Sequence, residues 1–162
     1  MEPRSGSGCS VSRMPRNSNV PSQGAMNAMN RVHRALIRLT GGRVGWHLSG
    51  MPMLELTTTG RTSGEPRSTM LSSPLQPGRS YVVVASRGGD DKHPAWYLNL
   101  VANPAVEVDY QGGGKKKRIA RVATPAERAE LWPKITADHK NYAEYQSKTD
   151  REIPLVFLDP IN

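Results

Sequence analysis

At 162 residues the chain is long enough for one domain with a real core, and its 22 Lys+Arg against 14 Asp+Glu give a formal net charge of +8. That balance predicts attraction to anions, whether nucleic acid, anionic lipid or a polyanionic cofactor. The single cysteine, Cys9, excludes a disulfide framework and a cysteine-based metal site; no apolar run reaches the length of a membrane span, and no secretory signal core is seen, so the cytoplasm is expected.

Residues 1–24 are rich in Ser, Pro, Arg, Gly and Asn without apolar periodicity, and a disordered tail is expected there, ahead of a single domain over 25–162. Met14 and Met26 are alternative starts. Ala25 to Leu39 reads as an amphipathic helix in which Met29, Val32, Leu36 and Leu39 share a face away from Arg31, Arg34 and Arg38, with Gly41-Gly42 as its stop. A basic amphipathic helix can lie on an anionic membrane; the plainer reading is a helix closing one end of a barrel.

Beyond it the pattern alternates strands with turns. Strands are predicted over Met53–Thr58, Arg67–Ser72, Ser80–Ala85, Ala105–Tyr110, Lys115–Val122 and Ile153–Leu158, with Gly60–Glu65 and Gln111–Gly114 as hairpin turns. Helices are predicted over Pro94–Val101, Pro125–His139 and Asn141–Ser147. The second has Thr124 as N-cap, Pro125 in first position and Glu127 at the capping-box position. Six strands with few helices between them argue for a mainly β fold with added helices (α+β), an antiparallel barrel rather than a doubly wound sheet.

The most informative segment is Ser86-Arg87-Gly88-Gly89, where an apolar strand runs into a hydroxyl, a guanidinium and two glycines before a helix that starts near Pro94 and stops at Asn103-Pro104. Strand, small polar loop and helix start together form a common way to hold an anion. Arg61, Arg67 and Arg87 either converge there on a phosphate, as planar forks suited to bidentate contact, or are three solvated arginines. Trp96 reads as core or as flanking a cofactor, and Asn99 as bonding a cofactor tail or a loop carbonyl. Lys115-Lys116-Lys117-Arg118 reads as a solvated hairpin edge whose lysines discourage edge pairing; without interleaved aromatics or a helix-turn-helix pattern, nucleic acid is not expected. Tyr142 and Tyr145 share one face of a helical turn, either packing it or lining a pocket. The four histidines have no metal-ligand spacing, so no metal is expected, and there is no nucleophile elbow, P-loop or Rossmann fingerprint.

One family carries these segments in the same order. Leu54-Glu55-Leu56-Thr57-Thr58-Thr59-Gly60-Arg61, Ala85-Ser86-Arg87-Gly88-Gly89, Trp96-Tyr97-Leu98-Asn99-Leu100 and Ala102-Asn103-Pro104 lead into Ala126 to Pro133, Tyr142, Tyr145-Gln146 and Thr149 to Pro154. From about Met51 to the C-terminus the chain resembles the deazaflavin-dependent nitroreductase family, the quinone reductases and nitroreductases of actinobacteria that use coenzyme F420. The resemblance implies a split β-barrel of the flavin-reductase/pyridoxamine-oxidase type, coenzyme F420 (8-hydroxy-5-deazaflavin) as reduced hydride donor, and a quinone-like or nitro-aromatic acceptor. It also implies that Arg61, Thr62, Ser63, Gly64, Arg67, Ser86, Arg87, Gly88, Gly89, Trp96, Tyr97 and Asn99 hold the cofactor, that Ser86, Tyr142 and Tyr145 act on the acceptor, and that the lysine run attracts an oligoglutamate tail. Thr62 departs from the basic residue usual after the Gly-Arg pair, His139 from a frequent tyrosine, and Ser72-Ser73 from a stretch that is often aromatic; the last two point to a more open, polar acceptor pocket. A flavin mononucleotide enzyme and a non-enzymatic carrier of a lipid-like ligand remain alternatives on the same barrel. The resemblance leans to a monomer, with peripheral contact at the inner membrane face through the N-terminal helix left open.

Overall fold

The computed structural model describes residues 50–161 together with 24–25, 28–29, 31–32 and 47–48. The strands are β1 (His47–Leu48), β2 (Met51–Thr59), β3 (Pro66–Ser72), β4 (Tyr81–Val84), β5 (Ala105–Tyr110), β6 (Lys115–Val122) and β7 (Leu155–Pro160). The helices are α1 (Ala95–Ala102), α2 (Pro125–Asp138) and α3 (Lys140–Ser147), and a single 3-10 turn covers Arg87–Gly89. Every pairing is antiparallel, in the order β1-β2-β5-β6-β7-β4, with β3 on the free flank of β2. The sheet curls into a half-barrel with three helices added, the mixed architecture expected.

Strand alternation creates two packed layers. Leu54 and Leu56 of β2, Val83 of β4, Val106 and Val108 of β5, and Val156 and Leu158 of β7 point inward, where Leu100 of α1 joins them. On the opposite face of β4 and β7, Val82, Val84, Leu155 and Phe157 pack against Ile135 of α2 and Tyr142 of α3. The capping box of α2 forms as the sequence predicts. The Thr124 side chain accepts from the Glu127 amide, and the Glu127 carboxylate accepts from the Thr124 amide. Arg121 donates to the same carboxylate, and this hydrogen bond, ahead of the Thr124 amide, lowers the Glu127 pKa to about 2.

Several elements differ from expectation: β1 was not foreseen, and β2 begins two residues early, at Met51. β7 begins two residues late: Pro154 has no amide to donate, and the Ile153 amide donates to the Gln146 side chain instead of the sheet. The lysine run is an edge only in part. Lys115 to Lys117 pair with β5 alone, but β7 joins at Arg118 opposite Pro160, so at Arg118 and Ile119 β6 is flanked on both sides, and Arg118 is buried.

The described positions of the predicted N-terminal helix (Ala25, Ala28, Met29, Arg31 and Val32) are helical and exposed, and so is Gly24, which was expected in the tail. The remainder of that helix, its Gly41-Gly42 stop and the rest of the tail expected over residues 1–24 lie outside the described residues.

Candidate functional site

The turn between β2 and β3 is set by two glycines. The Gly60 amide donates to the Glu65 carbonyl at 2.8 Å and accepts the Gly64 amide on its own carbonyl at 2.7 Å. A Cβ on Gly60 would stand 2.6 Å from Ser63 Oγ, and Gly64 has φ +70°, so neither position accepts a larger residue without strain. Arg61 and Arg67 therefore leave the two ends of one tight turn. Arg67 Nη2 donates to Ser63 Oγ at 3.4 Å.

Asn99 of α1 ties this turn to the barrel. Its Oδ1 accepts both the Arg61 amide and Arg61 Nη1 at 3.2 Å, while its Nδ2 donates to Thr58 Oγ1 at 3.2 Å. Thr58 in turn donates to the Arg67 carbonyl at 3.3 Å. Asn99 and Thr58 are both buried, so the bracket works where unmade hydrogen bonds are costly.

Between the turn, β3 and the start of α1 lies a cavity of about 660 Å³. Arg61, Thr62, Ser63, Arg67, Trp96 and Asn99, six residues expected at the site, line it together. The rest of the lining was not foreseen as site residues, among it Arg31 and Met29 from the N-terminal helical positions, and Thr58. For Arg31 the signal was its place off the apolar face of the predicted helix; for Thr58, a hydroxyl on the inward face of β2. Among the described residues no carboxylate lines the cavity. Guanidinium groups, hydroxyls and an indole wall suit a ligand with an anionic tail and a flat ring.

Ser86, Arg87, Gly88, Gly89, Gly64 and Tyr97 do not line this cavity. Arg87, Gly88 and Gly89 have φ of 48°, 67° and 85°, three successive left-handed residues, with Arg87 Nε 3.4 Å from the Asp90 carboxylate. A Cβ on Gly89 would meet the Tyr145 carbonyl at 2.6 Å, so this glycine admits α3 rather than a ligand. Arg151, which the sequence places in the family-like run Thr149 to Pro154 without a role, holds the segment from behind. It donates to the carbonyls of Ala85 (3.2 Å), Ser86 (2.8 Å) and Asp90 (2.8 Å). His93 stacks on Tyr97 at 4.7 Å, and burial, then Arg151, lowers its pKa. Pro94 and Ala95, the next residues, are cavity wall.

Tyr142 and Tyr145 lie in the α2–α3 layer. The Tyr142 hydroxyl sits 3.8 Å from Met51 Sδ, and burial pushes its pKa up to about 12.

A model of the family described as F420H(2)-dependent quinone reductase matches residues 29–160. An F420H(2)-dependent quinone reductase of Mycobacterium tuberculosis is 41% identical over 135 residues, 79% of this chain and 87% of that protein. The structure of an F420-H2 dependent reductase, FDR-A, superposes with a TM-score of 0.56 at 42% identity, covering 67% of this chain and 94% of its own. Another structure, 37% identical, reaches 0.60 and covers 82% of this chain and 99% of its own; it is a domain-swapped dimer, which stands against the monomer to which the sequence leans. At 12% identity and a TM-score of 0.50, a Listeria innocua protein assigned as a pyridoxamine 5′-phosphate oxidase shares the fold, covering 81% of this chain and 94% of its own. Family model, relatives and barrel agree with the order of motifs along the sequence: the chain belongs to the F420H(2)-dependent quinone reductase family.

Proposed function

We propose that the cavity between the Gly60–Glu65 turn and α1 holds coenzyme F420 by its anionic tail, and that a quinone is the acceptor. As a family member the protein is an F420-dependent reductase with F420H2 as its cofactor. The observation that carries the site is the lining in which, with no carboxylate among the described residues, Arg61 and Arg67 flank hydroxyls and Trp96. When bound, reduced F420 supplies the hydride that the acceptor takes up.

The chain's own residues bind and orient. Arg61 and Arg67 offer planar forks to phosphate oxygens, and Thr62 and Ser63 add hydroxyl donors where the family has a basic residue. Asn99 and Thr58 hold Arg61 and the backbone at Arg67 in place, so little freedom remains to be lost on binding. Trp96 supports one face of a flat ring. Tyr142 is a poor proton donor, with its hydroxyl against a thioether and its pKa raised; the proton that completes acceptor reduction comes from solvent.

Fluorescence titration of the purified chain with F420 tests this. Arg61→Ala and Arg67→Ala each remove a charge-assisted contact worth about 1.5–3 kcal/mol, so the Kd rises by roughly ten- to a hundred-fold. Flavin mononucleotide binds more weakly than F420. Wild-type affinity in both variants would return the arginines to the solvated surface, and equal affinity for flavin mononucleotide would favour the other cofactor.

A further inference from the structure

Positive charge gathers a second time in this fold. Where β4 and β6 begin and β7 ends, a cavity of about 370 Å³ is lined by Arg79, Lys116, Lys117 and Arg118. Tyr81, Pro160 and Ile161 complete its wall, so among the described residues it contains no carboxylate and shares no residue with the first cavity.

Arg118 is its anchor. The residue is only 7% exposed. Its Nη1 donates to the Arg79 carbonyl at 2.7 Å and the Leu158 carbonyl at 3.0 Å, and its guanidinium lies 4.3 Å from the centre of the Tyr81 ring. Tyr81 is itself stacked on Tyr110 at 4.5 Å, so the guanidinium is held in place from below. All of these partners are neutral. Among the described residues no carboxylate reaches ion-pair distance of Arg79, Lys116, Lys117 or Arg118, whereas neighbouring cations are matched. Arg121 pairs with Glu127 at 2.9 Å and Asp159 at 2.8 Å, Lys115 approaches Glu107 at 3.9 Å, and Lys134 pairs with Glu130 at 2.8 Å.

A buried guanidinium balanced only by dipoles and ringed by three more cations is electrostatically incomplete. Mutual repulsion raises the cost of each charge, and concave walls focus the field. Discouraging edge pairing accounts for Lys115 to Lys117, but it leaves the buried Arg118 unexplained.

We propose that this cavity is a second anion site and that it takes a phosphate group carrying two or more charges, as a phosphate monoester or diphosphate. Two guanidinium forks and two ammonium groups present more donors than a single carboxylate can use, and they match the several oxygens of a phosphate. Tyr81 and Ile161 leave an apolar wall for whatever the phosphate is attached to.

The test uses the full chain carrying R61Q/R67Q, so that the first cavity does not compete. Calorimetry with pyrophosphate reads a soluble ligand, and co-sedimentation with phosphatidic acid vesicles, against phosphatidylcholine vesicles, reads a lipid headgroup. Adding R79Q/K116Q, both exposed, weakens whichever probe binds by at least tenfold. K92Q/K140Q removes the same charge elsewhere and changes affinity less than twofold. Arg118→Met abolishes binding; if its melting curve shows unfolding, R79Q/K116Q decides alone. Binding of pyrophosphate assigns a soluble ligand, and binding of vesicles alone assigns the headgroup source. No binding of either probe, or equal weakening by R79Q/K116Q and K92Q/K140Q, overturns the proposal.

Discussion

Asn99 shows how much one amide can organise: its oxygen holds two Arg61 donors and its nitrogen holds Thr58, joining α1 to the mouth of the first cavity. Tyr142 has the opposite character. It is 6% exposed, packed among Ile135, Ile153 and Phe157, and among the described residues its hydroxyl meets a sulfur, that of Met51. Tyr142→Phe is therefore expected to keep quinone turnover and melting temperature close to wild type, while Tyr142→Ala costs about 3–5 kcal/mol of stability, each kcal/mol lowering the melting temperature by roughly 2–4 °C. The raised pKa adds a pH signature. Below pH 10 the phenol is neutral in folded and unfolded chains alike and its contribution to stability is fully present. Between pH 10 and about 12 the unfolded chain loses the proton first, so stability falls as pH rises. Denaturant melts at pH 9 and 11 should show this loss in wild type and less of it in Tyr142→Phe. A fall in turnover at unchanged melting temperature would instead place the hydroxyl in the chemistry.

At the scale of elements, the segment between β4 and α1 depends on the far end of the chain. Arg151 reaches three carbonyls that point at it from Ala85, Ser86 and Asp90, and Asp91 accepts from Thr149 at 3.0 Å beside it. A planar fork can satisfy those carbonyls together, whereas an ammonium on a single stem cannot. Arg151→Lys is expected to weaken F420 binding several-fold through displacement of Pro94, Ala95 and Trp96, and guanidinium ion should restore part of the affinity in Arg151→Ala. Wild-type affinity in Arg151→Lys would reduce this contact to one that only stabilises the fold. The elements themselves were largely legible. Alternation gave β5 and β6 with their observed ends, and Thr124-Pro125-Ala126-Glu127 gave the start of α2, because both signals are local. The start of β7 was misread because Ile153 and Pro154 look like strand, yet a hydrogen bond to Gln146, seven residues away, decides their place. For the same reason the lysine run gave no hint that β7 would flank Arg118.

Across the whole molecule, Asp90, Glu107, Glu127, Glu130, Glu152 and Asp159 pair with cations away from the two cavities, and among the described residues no carboxylate lines either cavity, which leaves the excess of +8 felt at their walls. The site was legible in the sequence to the extent that turn chemistry and family-like order placed Arg61, Thr62, Ser63, Arg67, Trp96 and Asn99 together. The role of Arg151 was not legible, since it reaches Ala85, Ser86 and Asp90 through long-range bonds that no local pattern encodes. The charge distribution makes a kinetic prediction. A surplus of cations that lack carboxylate partners draws an anionic cofactor from a distance, so it acts on the association rate, while contacts inside the cavity act on dissociation. In stopped-flow mixing with F420, the association rate constant should fall about tenfold or more between 10 and 300 mM salt, as the screening length shrinks from about 30 Å to below 8 Å. The dissociation rate should change little over that range. Arg61→Ala should show the reverse pattern, a faster dissociation with nearly the wild-type salt slope, because it removes one bound contact and only one charge in the field. An association rate that is flat in salt would mean that the net charge plays no part in cofactor capture, and that the cavity's own contacts account for all of the affinity.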